Sequence, residues 1–251
     1  MPEPLHLAFV RFTSCSGCQL ALVNAEEALP LLPEVAVVQV FPLVSSAVDA
    51  GAPLDVALIE GSVSRPEELE MLLTLRRRAR FVVAVGACAV NGGINVLGGT
   101  EREAWVRAVY GAAAAAKRAF LPQPLDRLVK VDAALYGCPV AAAEIVQLLG
   151  AVAHGGLPPT AEHALCLDCR LREIRCLLVE GQQPCLGPVT RSGCGVQCPA
   201  RGIPCEGCHG FAPEANLAEM ERQLAQIGFG SREIRARMER FGGVGHDRGA
   251  D

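Results

Sequence analysis

The chain has 251 residues, 51% of them apolar and 20% charged, with a formal net charge of −4. That length suits one large domain or two smaller ones, and the apolar share excludes a disordered chain. An acidic balance argues against a nucleic-acid or anionic-membrane partner, which would call for a basic excess. The opening stretch Met1–Val10 has no basic region before an apolar core and no twin-arginine pair, so export on such a signal is not expected. No apolar run approaches the roughly 20 residues of a membrane span, and Ala112–Ala116 is short and closed by Lys117 and Arg118. These features predict a cytoplasmic protein. In that compartment disulfides are rare, so twelve cysteines point to metal or redox chemistry.

In chain order, Leu5–Phe12 is an apolar run bounded by Pro4 and a polar turn, as for a strand buried on both faces. A helix is expected from about Gly17 to Leu29, stopping before Pro30. Val35–Phe41 and Asp55–Gly61 read as the next two strands. Ser64 and Pro66 suit the cap and first turn of a helix over Glu67–Arg78. The basic run Arg76, Arg77, Arg78 and Arg80 then reads as a solvated helix end that complements the macrodipole. Arg80–Gly86 is a fourth strand, Glu101–Phe120 a helix, Val129–Gly137 a fifth strand and Val140–Val152 a closing helix. Such alternation predicts an α/β domain over residues 1–153 with a parallel sheet of flavodoxin-like type.

Residues 154–251 read as a second, cysteine-rich domain. Up to Ala212 there is little helix or strand period, and Gly and Pro recur every few residues. Two helices follow, within Pro213–Ile227 and Ser231–Phe241, and the tail from Gly242 is expected to be loose. Strand one leads into no G-x-G-x-x-G, and no Walker sequence occurs, so no nucleotide is assigned. Gly92, Gly93, Gly98 and Gly99 read equally well as a surface loop or as part of a ligand site.

The cysteines fall into three sets of four. Cys166, Cys169, Cys176 and Cys185 are separated by two, six and eight residues, and Cys194, Cys198, Cys205 and Cys208 follow at once. Ordering so irregular a segment costs ~1–2 kcal/mol of backbone entropy per residue, and its scattered apolar residues do not obviously offset that. Inorganic ligation is the remaining source of order. Cys15 and Cys18 follow strand one, Cys88 strand four and Cys138 strand five, all beyond the carboxyl edge where open α/β sheets keep their ligands. One shared site is expected there. Each set could hold zinc, but zinc ribbons commonly pair two C-x-x-C hairpins, and proline beside the ligands (Pro139, Pro184, Pro199, Pro204) is frequent at iron–sulfur sites. Spacing therefore favours iron–sulfur and leaves zinc open.

Longer strings carry more. S-C-S-G-C-Q at Cys15 and Cys18, G-A-C-A-V-N-G-G-I at Cys88, G-C-P at Cys138, P-C-L-G-P-V-T-R-S-G-C from Cys185 to Cys194 and P-C-E-G-C at Cys205 and Cys208 run across nearly the whole chain. With them the sequence resembles the small, electron-transfer subunit of nickel–iron hydrogenases, in the cytoplasmic branch of methyl-viologen-reducing and sulfhydrogenase enzymes. The resemblance implies three 4Fe-4S clusters: a proximal one on Cys15, Cys18, Cys88 and Cys138, a medial one on Cys194, Cys198, Cys205 and Cys208, and a distal one on Cys166, Cys169, Cys176 and Cys185. It implies a large-subunit partner that carries the nickel–iron centre and splits hydrogen, so no catalytic residue is expected on this chain. A further acceptor subunit is implied, whether flavoprotein, ferredoxin-like or heterodisulfide-reductase-like.

Several positions depart from related patterns. Cys166 stands where the exported, membrane-linked branch has a histidine, and Cys198 supplies a fourth medial thiol where that branch has three. Ser14 and Gln19 replace acidic residues of many relatives, so no proton relay is assigned to them, and Val140 replaces a second proline. His154, His163 and His209 are read as surface residues or neighbours of the ligands. The alternatives are the complex I subunit before quinone, which typically has two adjacent cysteines in its first motif and lacks the eight-cysteine extension, and a non-catalytic zinc scaffold. With 4% aromatic residues and a cysteine-bearing edge expected to be apolar, the chain should be poorly soluble without its large subunit.

Overall fold

The computed structural model describes residues 3–27, 29–46, 51–97, 102–111 and 120–241. Five strands, β1 (Leu5–Arg11), β2 (Ala36–Val40), β3 (Leu54–Glu60), β4 (Ala79–Val85) and β5 (Ala133–Leu135), form one sheet. All pairings are parallel and the order is β2-β1-β3-β4-β5, the flavodoxin-like arrangement expected. The central strands are continuous apolar runs because both faces are covered. Leu7, Phe9, Val56, Leu58, Val83 and Val85 face one core, completed by Ile145, Leu148 and Leu149 of helix Ala142–Ala153. Their neighbours Ala8, Val10, Ala57, Ile59, Val82 and Ala84 face the other, under Leu72 and Leu75 of helix Pro66–Arg78.

Element ends differ from expectation for local reasons. Helix Pro66–Arg78 is capped at Arg65, not Ser64: the buried Glu68 carboxylate reaches back to accept from Ser64 N (2.8 Å) and Arg65 N (3.2 Å). Its last turn is only partly solvated. Arg76 donates to Lys130 O and Ala79 O and pairs with Asp132, tying the helix to the approach of β5. β5 itself has three residues, because Asp132 Oδ2 takes the Val82 N–H (2.8 Å) that a ladder carbonyl would otherwise receive. The first helix is Gly17–Val23, ending at Asn24, and Leu29–Leu31 is a separate single turn. Helix Arg102–Tyr110 lies within the expected Glu101–Phe120 and is followed by Gly111 at φ 81°; residues 101 and 112–119, with Gly98, Gly99 and the tail from Gly242, lie outside the described residues.

Among the described residues beyond His154 the regular elements are helices Leu165–Leu171, Leu217–Gln226 and Ser231–Glu239, with one 3-10 turn at Pro199–Arg201. Asn216 caps the second of these by accepting from Glu219 N (3.0 Å). Apolar packing is sparse here. Leu186, Val189, Met220, Leu224, Ile234 and Met238 make one small cluster under the last two helices, and Leu165, Cys185, Val196 and Cys205 make another. Among the described residues no helix is long and apolar enough to cross a membrane.

Candidate metal centres

All twelve cysteines are free thiols. Four lie beyond the carboxyl edge of the sheet, after β1, β4 and β5. Beyond β1 the chain turns through Ser16 in the left-handed region, so that Cys15 precedes and Cys18 enters helix Gly17–Val23. Gly86 ends β4 at φ 81° and opens the short helix that carries Cys88; a Cβ there would overlap Cys18 Sγ, so only glycine lets the two turns meet. Cys138 follows β5 and precedes a cis peptide to Pro139. Gly17 N–H points at Cys15 Sγ (3.4 Å), Val140 N–H at Cys18 and Ile94 N–H at Cys88.

The remaining eight surround two cavities. Cys166 and Cys169, three apart and so on one face of helix Leu165–Leu171, join Cys176 and Cys185 around about 580 Å³. Cys194, Cys198, Cys205 and Cys208, with Cys138 at one side, line about 210 Å³. Among the described residues no three His, Cys, Asp or Glu side chains form a group fit for a single metal ion. The thiols instead ring spaces of multi-atom size.

Their electrostatics carry the same message. Burial, then neighbouring thiols, pushes Cys88 and Cys166 up to about 12. Burial likewise pushes Cys18 and Cys205 up to about 12 and Cys208 up to about 11, against the pull of N–H and O–H donors. Cys138, Cys169 and Cys185 are raised for the same first reason. Thiols so crowded ionise only when a cation compensates them, and the thiolate is the ligand form. The donor set therefore fits a cationic inorganic group at each site.

Backbone donors also link the sets to one another. Cys138 lines the same cavity as Cys194, Cys198, Cys205 and Cys208, with its N–H directed toward Cys208 Sγ, and Cys205 N–H donates to Cys185 Sγ at 3.2 Å. The carboxyl-edge set thus touches the Cys194–Cys208 set, which touches the Cys166–Cys185 set.

One buried polar residue, Glu60, was not anticipated, and of the three histidines expected at the surface or beside the ligands His209 is the buried neighbour. Glu60, 2% exposed at the end of β3, accepts from Gln19 N (3.0 Å) and Cys18 N (3.4 Å) and adds negative charge to Cys18, Cys88 and Cys138. Its signal was a carboxylate closing an apolar strand that runs to the ligand edge. His209 is 3% exposed, whereas His154 and His163 are exposed. His163 Nε2 lies 2.9 Å from Asp168 Oδ1, and Ser192 donates to the same carboxylate, which steadies the Cys166–Cys169 turn. Gln19 is structural: its Nε2 donates to Phe9 O (3.0 Å). Val140 is buried in the core beside Cys18. The carboxyl edge is partly apolar, with Leu20, Leu43, Val44, Ile94 and Leu97 exposed and Cys15 and Cys138 open beside them.

Against known proteins, residues 15–152 match the family described as NADH ubiquinone oxidoreductase, 20 Kd subunit. Sulfhydrogenase 2 subunit delta of Pyrococcus furiosus is 34% identical over 223 residues, covering 89% of this chain and 93% of that protein. That alignment is too long to be confined to the α/β half, and it settles the branch. The chain belongs to the small-subunit family of nickel–iron hydrogenases. A vhu subunit of the F420-non-reducing hydrogenase of Methanocaldococcus jannaschii is 28% identical, covering 91% of this chain and 90% of that protein. Among solved structures, an NAD+-reducing NiFe-hydrogenase chain superposes with a TM-score of 0.52 at 28% identity, over 62% of this chain and 95% of that one. A chain of the Ni-Fe-Se hydrogenase of Desulfomicrobium baculatum shares the fold, with a TM-score of 0.57 at 17% identity over 82% and 94%. As a hydrogenase small subunit the chain is an oxidoreductase component whose catalytic site lies on its partner.

Proposed function

We propose that this small subunit carries electrons between a hydrogen-activating nickel–iron centre on the large subunit and a cytoplasmic redox partner, along three 4Fe-4S clusters. Cys15, Cys18, Cys88 and Cys138 would hold the proximal cluster, Cys194, Cys198, Cys205 and Cys208 the medial one, and Cys166, Cys169, Cys176 and Cys185 the distal one. Each cluster, when bound, supplies a one-electron carrier whose potential follows its charge, burial and hydrogen bonds. The chain's part is to hold thiolates, exclude water and aim N–H dipoles at sulfur.

One observation carries the reading: Cys138 of the first set lines the cavity of the second, and Cys205 of the second donates its N–H to Cys185 Sγ of the third, so contact runs from set to set along the chain of three. The same order supports residues 1–153 as the proximal domain and residues 154–251 as the medial and distal one, each with its own apolar clusters. The exposed apolar edge around Cys15 and Cys138 is the face for the large subunit, and the opposite end of the series is where a flavoprotein, ferredoxin-like or heterodisulfide-reductase-like acceptor would dock. Twelve unpaired thiols suit a reducing compartment. With thiolate at every ligand position, the clusters concentrate negative charge and their potentials should lie low.

Metal and sulfide analysis of the anaerobically purified complex tests this. About twelve irons per chain, with equal sulfide, beyond those of the large subunit are expected. A colourless chain holding zinc alone rejects the relay.

A further inference from the structure

His209 is the residue after Cys208, and its buried ring lies among turns that bear ligands of two different sets. A Cβ on Gly137, just before Cys138, would stand 3.2 Å from His209 Nε2. One on Gly193, just before Cys194, would stand 3.4 Å from both Nδ1 and Cε1. Both glycines have positive φ, 127° and 125°, a conformation that side chains rarely adopt, so at each turn bare backbone lies against the ring. The residue after it, Gly210, packs on Asn91 of the Cys88 helix, where a Cβ would come within 2.7 Å of Asn91 Nδ2. The imidazole is therefore the filling of the joint between the carboxyl-edge set and the Cys194–Cys208 set. Across that joint Cys138 and Cys208 line one cavity, the N–H of the first directed toward the sulfur of the second.

We infer that His209 is a positioning residue for the relay: a strut that fixes the gap between the proximal and medial ligand turns and so keeps the Cys138 turn against the Cys194–Cys208 cavity, its N–H toward Cys208. The inference rests on the relay reading above. Two consequences follow from general physics. An N–H dipole aimed at a ligand sulfur favours the reduced state, so turning the Cys138 N–H away from Cys208 lowers the medial potential. Electron tunnelling and spin–spin interaction both fall steeply with the gap, so opening the joint weakens both.

The test uses the complete complex with parent, His209→Ala and His209→Gln small subunits. Iron content, medial and distal midpoints, and the electron paramagnetic resonance splitting between reduced proximal and medial centres are measured in each. Hydrogen–deuterium exchange at the large subunit is followed alongside dye reduction. The alanine variant is expected to keep its iron, its distal midpoint and its exchange rate. Its medial midpoint should fall, its splitting should be lost, and dye reduction should drop severalfold, with the glutamine variant shifted less in the same direction. A fully loaded variant of either kind with the parent's medial midpoint and splitting overturns the inference. A parent lacking the iron for three clusters defeats the relay reading instead, before His209 enters.

Discussion

The two halves of this chain are ordered by different physics. In the sheet half, Leu58 and Ile59 are adjacent, point to opposite faces, and are both fully buried, so one strand stitches two cores together. In the cysteine-rich half the larger apolar cluster has six buried side chains, and two of the four in the other are themselves cysteines. Burial of that extent is small against the conformational entropy of the long loops around it. The sheet half can therefore hold its shape by itself, whereas the other half needs its thiols tied to something.

The largest effect should come from removing the metal. Because ligation free energy becomes folding free energy, on the order of 10 kcal/mol or more for a structural metal site, stripping iron anaerobically should unfold the segment from Leu165 to Cys208. Amide exchange followed by mass spectrometry should show protection lost there and kept in β1, β3 and β4. Equal loss in both halves, or none in either, would erase the contrast.

Smaller and opposite in location is Leu58→Ala. Leu58 pairs with Phe9 in register and is 0% exposed, so the cavity should cost about 3 kcal/mol. The urea midpoint of the sheet should fall while iron per folded chain is unchanged. Iron loss in step with the midpoint would mean that the halves share a single cooperative transition.

The contrast also explains what could be read from the sequence. Strands β1 to β4 were readable because a strand covered on both faces is written as an unbroken apolar run. The cysteine sets were readable because ligand spacing is local. The role of Glu60 was not, nor which histidine would be buried, since Glu60 and His209 are ordinary strand-end and loop residues until the fold brings Cys18 or Gly137 against them. β5 was overestimated for a related reason. Val129, Val131 and Ala133 suggest a long strand, and nothing nearby announces that the Asp132 carboxylate will take the Val82 N–H.

Asp132 gives the smallest effect and the finest division between the halves. Its side chain is 12% exposed, and burial alone would raise its pKa. The Arg76 guanidinium, with the Val82 N–H, more than reverses that, holding the carboxyl below its usual range. A carboxylate whose folded pKa is depressed stabilises the fold at neutral pH, and that contribution drains away as pH falls from the usual aspartate value through the depressed one. Asp132→Asn should therefore cost about 2 kcal/mol at neutral pH, as for a hydrogen bond to a charged group, and the gap from the parent should close in acid. Paired urea titrations at pH ~7 and pH ~3, either side of the ordinary aspartate pKa, measure it. The residue lies before β5, whereas Cys138 lies after it, so the cluster midpoints should not move. A midpoint shift in this variant would mean that the polar staple at one end of β5 sets the ligand turn at the other, and that the sheet is not the rigid support its burial implies.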